Sequence, residues 1–65
     1  MEGTVKKFNK EKGFGFITGE DGKDYFFHYS SLKMEGFKTI TENEKVAFVG
    51  KETDRGLRAE EITKL

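Results

Sequence analysis

Two short segments of the chain concentrate aromatic side chains at the spacing of a β-strand. Lys12-Gly13-Phe14-Gly15-Phe16-Ile17 and Tyr25-Phe26-Phe27-His28-Tyr29 repeat rings two residues apart, and a strand sends alternate side chains to opposite faces. Phe14 and Phe16 therefore share one face, with Gly15 and Ile17 on the other. In the second segment, Phe26 and His28 alternate with Tyr25, Phe27 and Tyr29. A small barrel would have to find hydrogen-bond partners for an imidazole turned inward, so the histidine argues that its own face points out. Phe14, Phe16, Phe26 and His28 are then expected on one exposed surface, and an exposed aromatic patch of this kind marks a binding surface.

The chemistry that such a face offers is stacking. Nucleic-acid bases present a flat π surface whatever their identity, and one base stacked on an aromatic ring contributes about 1–3 kcal/mol. Lys6, Lys7 and Lys12 lie near these segments in sequence and can neutralise phosphates. Rings and ammonium groups together make a site for single-stranded nucleic acid. A duplex keeps its bases stacked inside and is expected to bind more weakly. His28 adds a group that stacks or donates a hydrogen bond. Asp24 reads as a turn residue that ends a hairpin loop; Arg55 reads equally well as a solvated loop charge or as a phosphate or stacking contact.

The elements that must hold these residues follow from the punctuation of the chain. Its 65 residues allow one small domain with a thin core. Eight glycines, no proline and short apolar runs between polar turns predict an all-β fold. Strands are expected over Gly3–Asn9, Phe14–Thr18, Asp24–Tyr29, Lys45–Lys51 and Leu57–Lys64, with Asp21-Gly22 as a favoured hairpin pair. Phe37 and Ile40 anchor the long connection from Lys33 to Glu44. Five short antiparallel strands bury a sheet face only by curling on themselves, which also hides their edges. A five-stranded antiparallel OB-type β-barrel is the solution adopted, although an SH3-like barrel has a similar length and strand count. The expected core is Val5, Ile17, Phe27, Ile40, Val46, Phe48 and Ile62, with Leu32 beneath a turn.

Composition narrows the function further. The chain has no cysteine and a single histidine, which leaves no thiolate metal site and no disulfide, so no metal and no cofactor are expected. Twelve basic residues balance twelve acidic ones, and any basic surface must be local. The lysines cluster toward residues 1–12, whereas Glu42, Glu44, Glu52 and Asp54 lie later in the chain. Met1-Glu2-Gly3-Thr4-Val5-Lys6 is too polar for a secretory signal and no run approaches membrane-spanning length. A cytoplasmic protein with no membrane partner is expected.

Gly13-Phe14-Gly15-Phe16-Ile17 followed by Phe26-Phe27-His28-Tyr29 resembles the two RNP-type motifs of bacterial cold-shock proteins. The resemblance extends through Glu2-Gly3-Thr4-Val5-Lys6, Phe8-Asn9, Glu11-Lys12, Ser30, Glu35-Gly36-Phe37-Lys38-Thr39, Val46-Ala47-Phe48 and Arg55-Gly56, and so covers essentially the whole chain. It implies one cold-shock-like domain over residues 1–65, an OB-type barrel that binds single-stranded RNA and DNA, often pyrimidine-rich. Such proteins act as RNA chaperones that disfavour secondary structure, support translation in the cold and influence transcription termination. Carried across position by position, the resemblance assigns binding to Lys6, Lys12, Phe14, Phe16, Asp24, Phe26, His28, Phe37 and Arg55, with Phe8 at the edge of the patch. Tyr29 stands where the family usually has phenylalanine and is still a ring that can stack.

Two positions depart from the pattern. Lys7 occupies the place of a common tryptophan, which removes one stacking platform and adds one charge, so weaker stacking and a steeper salt dependence are expected there. Leu57 and Arg58 follow Arg55-Gly56 where proline is frequent. Other functions find little support. No nucleophile or carboxylate pair accompanies the histidine, so the chain is not read as an enzyme. Gly13-Phe14-Gly15 does not extend to a dinucleotide-binding pattern because position 18 is threonine. An RNA-recognition-motif fold needs packed helices and a longer chain. An SH3-like module holding a proline-rich peptide would use the same rings with weak salt dependence. A monomer is the simplest expectation.

Overall fold

Alternating apolar and polar residues, interrupted by turn-forming pairs, produce five strands. The computed structural model describes residues 1–33 and 40–65. The strands are β1 (Glu2–Asn9), β2 (Phe14–Gly19), β3 (Asp24–His28), β4 (Lys45–Thr53) and β5 (Gly56–Lys64). They close into a barrel in the order β1-β2-β3-β5-β4, with β4 returning to β1. The five-stranded barrel expected from the sequence is therefore present. Its antiparallel pattern is broken at one seam, where β3 and β5 run parallel and meet at Phe26 and Arg58. The third strand also stops sooner than Tyr29: Tyr29–Ser31 turn into one 3-10 turn, and Tyr29 N–H is held by the Gly13 carbonyl at 2.7 Å.

The core contains all eight residues expected and adds Tyr25 and Ala59. Tyr25 keeps the alternation of β3 and shares the inner face with Phe27, whereas in β1 and β5 a bulge shifts the phase of the strand. In β1 the register against β2 slips between Val5 and Lys7, leaving Lys6 as the extra residue. Val5 and Phe8, three apart, thus both turn toward the interior: Val5 is buried, and Phe8 packs against the core. In β5 the pairing against β4 slips between Ala47 and Val49, and Ala59 and Ile62, again three apart, are both fully buried. The second bulge sets Glu61 at φ 51°, a left-handed conformation that crowds a side chain against the following carbonyl.

Local hydrogen bonds close the tight turns. Asn9 Oδ1 accepts the N–H groups of Glu11 and Lys12 at 3.0 and 3.1 Å, which bends the chain from β1 into β2. In the β2–β3 hairpin, Asp21 accepts the Tyr25 hydroxyl at 2.6 Å and the Lys23 N–H at 3.1 Å. Tyr25 can therefore bury its ring while its polar tip is satisfied. The Tyr25 hydroxyl bond, followed by the Lys23 N–H, holds the Asp21 carboxyl below its ordinary pKa. The same bond raises the Tyr25 phenol above its ordinary value.

Asparagine tolerates the left-handed region better than glutamate, as Asn43 at φ 70° already illustrates. Glu61→Asn is accordingly expected to raise the free energy of unfolding by about 0.5–1 kcal/mol, measured by denaturant titration; an unchanged or lowered midpoint would remove the strain argument. Because the folded Asp21 pKa is depressed, its stabilising contribution is complete above the ordinary carboxylate value and is lost as pH falls through the folded value. The stability difference between wild type and Asp21→Asn should therefore shrink on acidification, and a gap that stays constant down to the acid limit would refute the linkage.

Candidate nucleic-acid interface

Direct pairing of β2 with β3 assembles the exposed rings. Phe14 lies across from His28 and Phe16 from Phe26, while Gly15 faces Phe27 and Ile17 faces Tyr25. Cross-strand partners share a face, so the first two pairs point out and the second two point in. Phe26 sits between its neighbours, with ring centroids 5.8 Å from both Phe14 and Phe16 and interplanar angles of 34° and 71°. Phe14 and Phe26 are half-buried, and Phe16 is 38% exposed. This retained exposure leaves π surface open to a ligand.

The platform continues past the end of β3. The Tyr29 ring lies 4.7 Å from that of His28 and is exposed. Gly13 makes room for it: the backbone there has φ 75°, and a Cβ would come within 2.6 Å of Tyr29 Cδ1. His28 Nδ1 accepts the Ser30 N–H at 3.2 Å, with the Ser30 hydroxyl 2.9 Å away. In the neutral imidazole this leaves the proton on Nε2, which becomes the donor available to a ligand.

The bulge at Lys6 separates the roles of two adjacent lysines. Lys7 lies directly across from Phe16 and shares its outward face. Lys6 instead reaches Asp24 Oδ2 at 2.8 Å, and Asp24 Oδ1 accepts the Thr18 hydroxyl at 3.0 Å. Lys6, then Thr18, holds the Asp24 carboxyl below its ordinary pKa. Asp24 thus begins β3 with both oxygens engaged rather than serving only as a loop residue. The ion pair is exposed and adds little stability; its effect is to fix where a positive and a negative charge stand beside the rings.

The remaining candidates divide. Lys12 is exposed on the β1–β2 turn. Arg55 lies in the β4–β5 turn, where its N–H reaches Thr53 Oγ1 at 3.2 Å, and it lines a groove of about 660 Å³ together with Phe16 and Phe26. Phe8 does not join the outward rings. Its ring stacks on the buried Phe27 at 5.6 Å and 16°, so it supports the platform from the core side. Phe37 lies outside the described residues. Arg58, not singled out as a site residue from the sequence, lines the same groove with its guanidinium carbon 6.0 Å from the Phe26 ring centre.

An OB-type barrel with an outward aromatic platform and flanking cations defines the chain as a nucleic-acid-binding protein. It belongs to the cold-shock domain family, whose model, described as the "'Cold-shock' DNA-binding domain", matches residues 1–65. The chain is 56% identical over 64 residues to the major cold shock protein of Streptococcus pyogenes serotype M18, covering 98% of this chain and 96% of that protein. It is 56% identical over 63 residues to the cold shock-like protein CspLB of Listeria monocytogenes serovar 1/2a, covering 97% and 96%. Among solved structures, drosophila Unr CSD456 aligns with a TM-score of 0.75 and 25% identity, covering 98% of this chain and 26% of that one. Among the described residues no helix is long and apolar enough to cross a membrane.

The two kinds of phenylalanine are separable by measurement. Phe26→Ala is expected to weaken binding of a short oligothymidine by roughly 5- to 150-fold, the loss of one stacked base, with a smaller effect on unfolding. Phe8→Ala should chiefly cost stability, about 3 kcal/mol for a ring that is only partly buried. Equal effects of the two substitutions on binding by folded protein would overturn the division between platform and support.

Proposed function

We propose that the chain is a single-domain, cytoplasmic RNA chaperone that binds single-stranded RNA and DNA as a monomer, without catalysis. The observation carrying this reading is the outward trio Phe14, Phe26 and Phe16, with neighbouring centroids 5.8 Å apart and Lys7 paired across from Phe16. Bases stack on Phe14, Phe16, Phe26, His28 and Tyr29, and Phe37 extends the set. Lys7, Lys12 and Arg55 meet phosphates, while Lys6 and Asp24 frame the face as a pair. Phe8 acts through Phe27.

Stacking lowers the free energy of the unpaired strand and leaves that of the duplex nearly unchanged, so the protein disfavours secondary structure by mass action. Pyrimidine-rich stretches suit this platform because their bases stack weakly on one another and move easily onto the rings. Keeping transcripts single-stranded supports translation and opposes terminator hairpins. The net charge of zero assigns electrostatic attraction to the local cations rather than to the molecule as a whole.

Titration with oligouridine, a matched duplex and a proline-rich peptide tests the reading. Binding should be confined to the single strand, and a fluorophore-labelled RNA hairpin should open at lower temperature in the presence of protein. Lys7→Gln should flatten the slope of log affinity against log salt by about 0.7, one phosphate on a single strand. Folded wild type that ignores the single strand at low salt would sink the proposal, and peptide binding in its place would identify an interaction module.

A further inference from the structure

The groove between Phe16 and Phe26 on one side and the β4–β5 turn on the other holds an unusual set of polar groups. Its lining includes Asp54, Arg55, Leu57 and Arg58 beside the two rings. Arg58 is placed there by the parallel seam, where it pairs directly with Phe26 and holds its guanidinium over that ring, 6.0 Å from the centroid. Its Nε is buried with no hydrogen-bond partner. Among the described residues the side chains of Arg58 and Asp54 enter neither an ion pair nor a hydrogen bond, whereas Lys6, Lys51 and Lys64 are all paired with carboxylates. A buried donor without an acceptor is costly, and a planar guanidinium fork is matched by two adjacent acceptors.

We infer that this groove is a guanine-reading subsite in which Arg58 is the specificity-determining residue and Asp54 its complement. Guanine presents the acceptor pair O6 and N7 on one edge, the pattern that an arginine fork reads. On its Watson–Crick edge it presents N1–H and N2–H donors, which suit a carboxylate. A base in a single strand exposes both edges, and the exposed ring of Phe16, which lines the same groove, supplies a face on which it can stack. Thymine and uracil separate their two carbonyl acceptors by an N–H; in adenine N1 and N7 each neighbour an amino donor. Cytosine offers the adjacent pair O2 and N3 but only one donor group, so it ranks second. A phosphate would satisfy Arg58 and Arg55, yet it would meet the like charge of Asp54 in the same groove. The subsite thus adds a guanine preference at one register to a platform that otherwise accepts bases broadly.

This inference rests on the stacking function, and the test separates the two. Oligothymidines of fixed length, each carrying one guanine at a different position, are titrated against wild type alongside the unsubstituted oligothymidine. One register should bind about tenfold more tightly than the parent, the discrimination of a single bidentate contact. Replacing that guanine with 7-deazaguanine, which lacks the N7 acceptor, should abolish the advantage; adenine at the same register should give none. Arg58→Lys keeps the charge but loses the fork, and should bring the guanine-to-thymine affinity ratio close to one. Asp54→Asn should lower the ratio, as should inosine in place of guanine, because it lacks the N2 amino group.

Oligothymidine binding without a guanine advantage at any register would overturn the subsite and leave the stacking function standing. Failure of folded wild type to bind any of the strands would sink the stacking function itself. A weakened affinity of Arg58→Lys for every sequence, with the guanine-to-thymine ratio preserved, would assign Arg58 to phosphate and overturn the reading. Should that variant fail to fold, the 7-deazaguanine comparison on wild type decides the matter.

Discussion

The structure depends on one close approach, that of β1 and the Phe27 ring to Gly15. A Cβ on Gly15 would lie 2.1 Å from the Lys7 carbonyl oxygen and 2.9 Å from Phe27 Cε1, so only the absence of a side chain permits the contact. Phe27, paired directly with Gly15, fills the interior that this approach leaves, and Phe8 stacks on its other side. Once the largest fully buried side chain is committed inward, the pleat leaves Phe14, Phe16, Phe26 and His28 no position but the outer face. The exposed platform and the packed core are therefore consequences of the same pairing.

That pairing also explains how a chain with so thin a core tolerates an apolar exterior. The rings shield one another: Phe26 is covered from both sides by Phe14 and Phe16, and Gly13 leaves space for Tyr29 beside His28. Charge is organised in the same local way. Paired Lys6 and Asp24 cancel each other beside the rings, and Lys7, on the other side of the bulge, stands across from Phe16.

Much of this was legible in the sequence because it obeys a period of two. The strand positions, the outward set on β2 and β3, and eight of the ten core residues follow from alternation and from the difficulty of burying an imidazole. Tyr25 and Ala59 escaped for opposite reasons. The tyrosine carries a hydroxyl whose partner, Asp21, is apparent only once the hairpin closes, and alanine is too small to signal a core position. The bulges broke the period itself, so the inward turn of Phe8 and the separation of Lys6 from Lys7 required the observed register. The parallel seam is a property of strand order, which no local pattern encodes. For that reason Leu57 and Arg58 read only as a departure from the family pattern at the start of the fifth strand, although Arg58 stands beside Phe26.

The seam has a mechanical consequence. Four of the strand junctions are ladders of several pairs, whereas β3 and β5 share the single position Phe26–Arg58, helped by a bridge from Leu32 to Ile62 just beyond. The backbone ladder is shortest there, and that line runs through the groove a ligand would occupy. A strand lying across both lips would hold them together, and occupancy would then add to stability by mass action. Cargo and fastening would then be one thing: a bound strand would act as a clasp across the one seam that the backbone itself closes with a single pair.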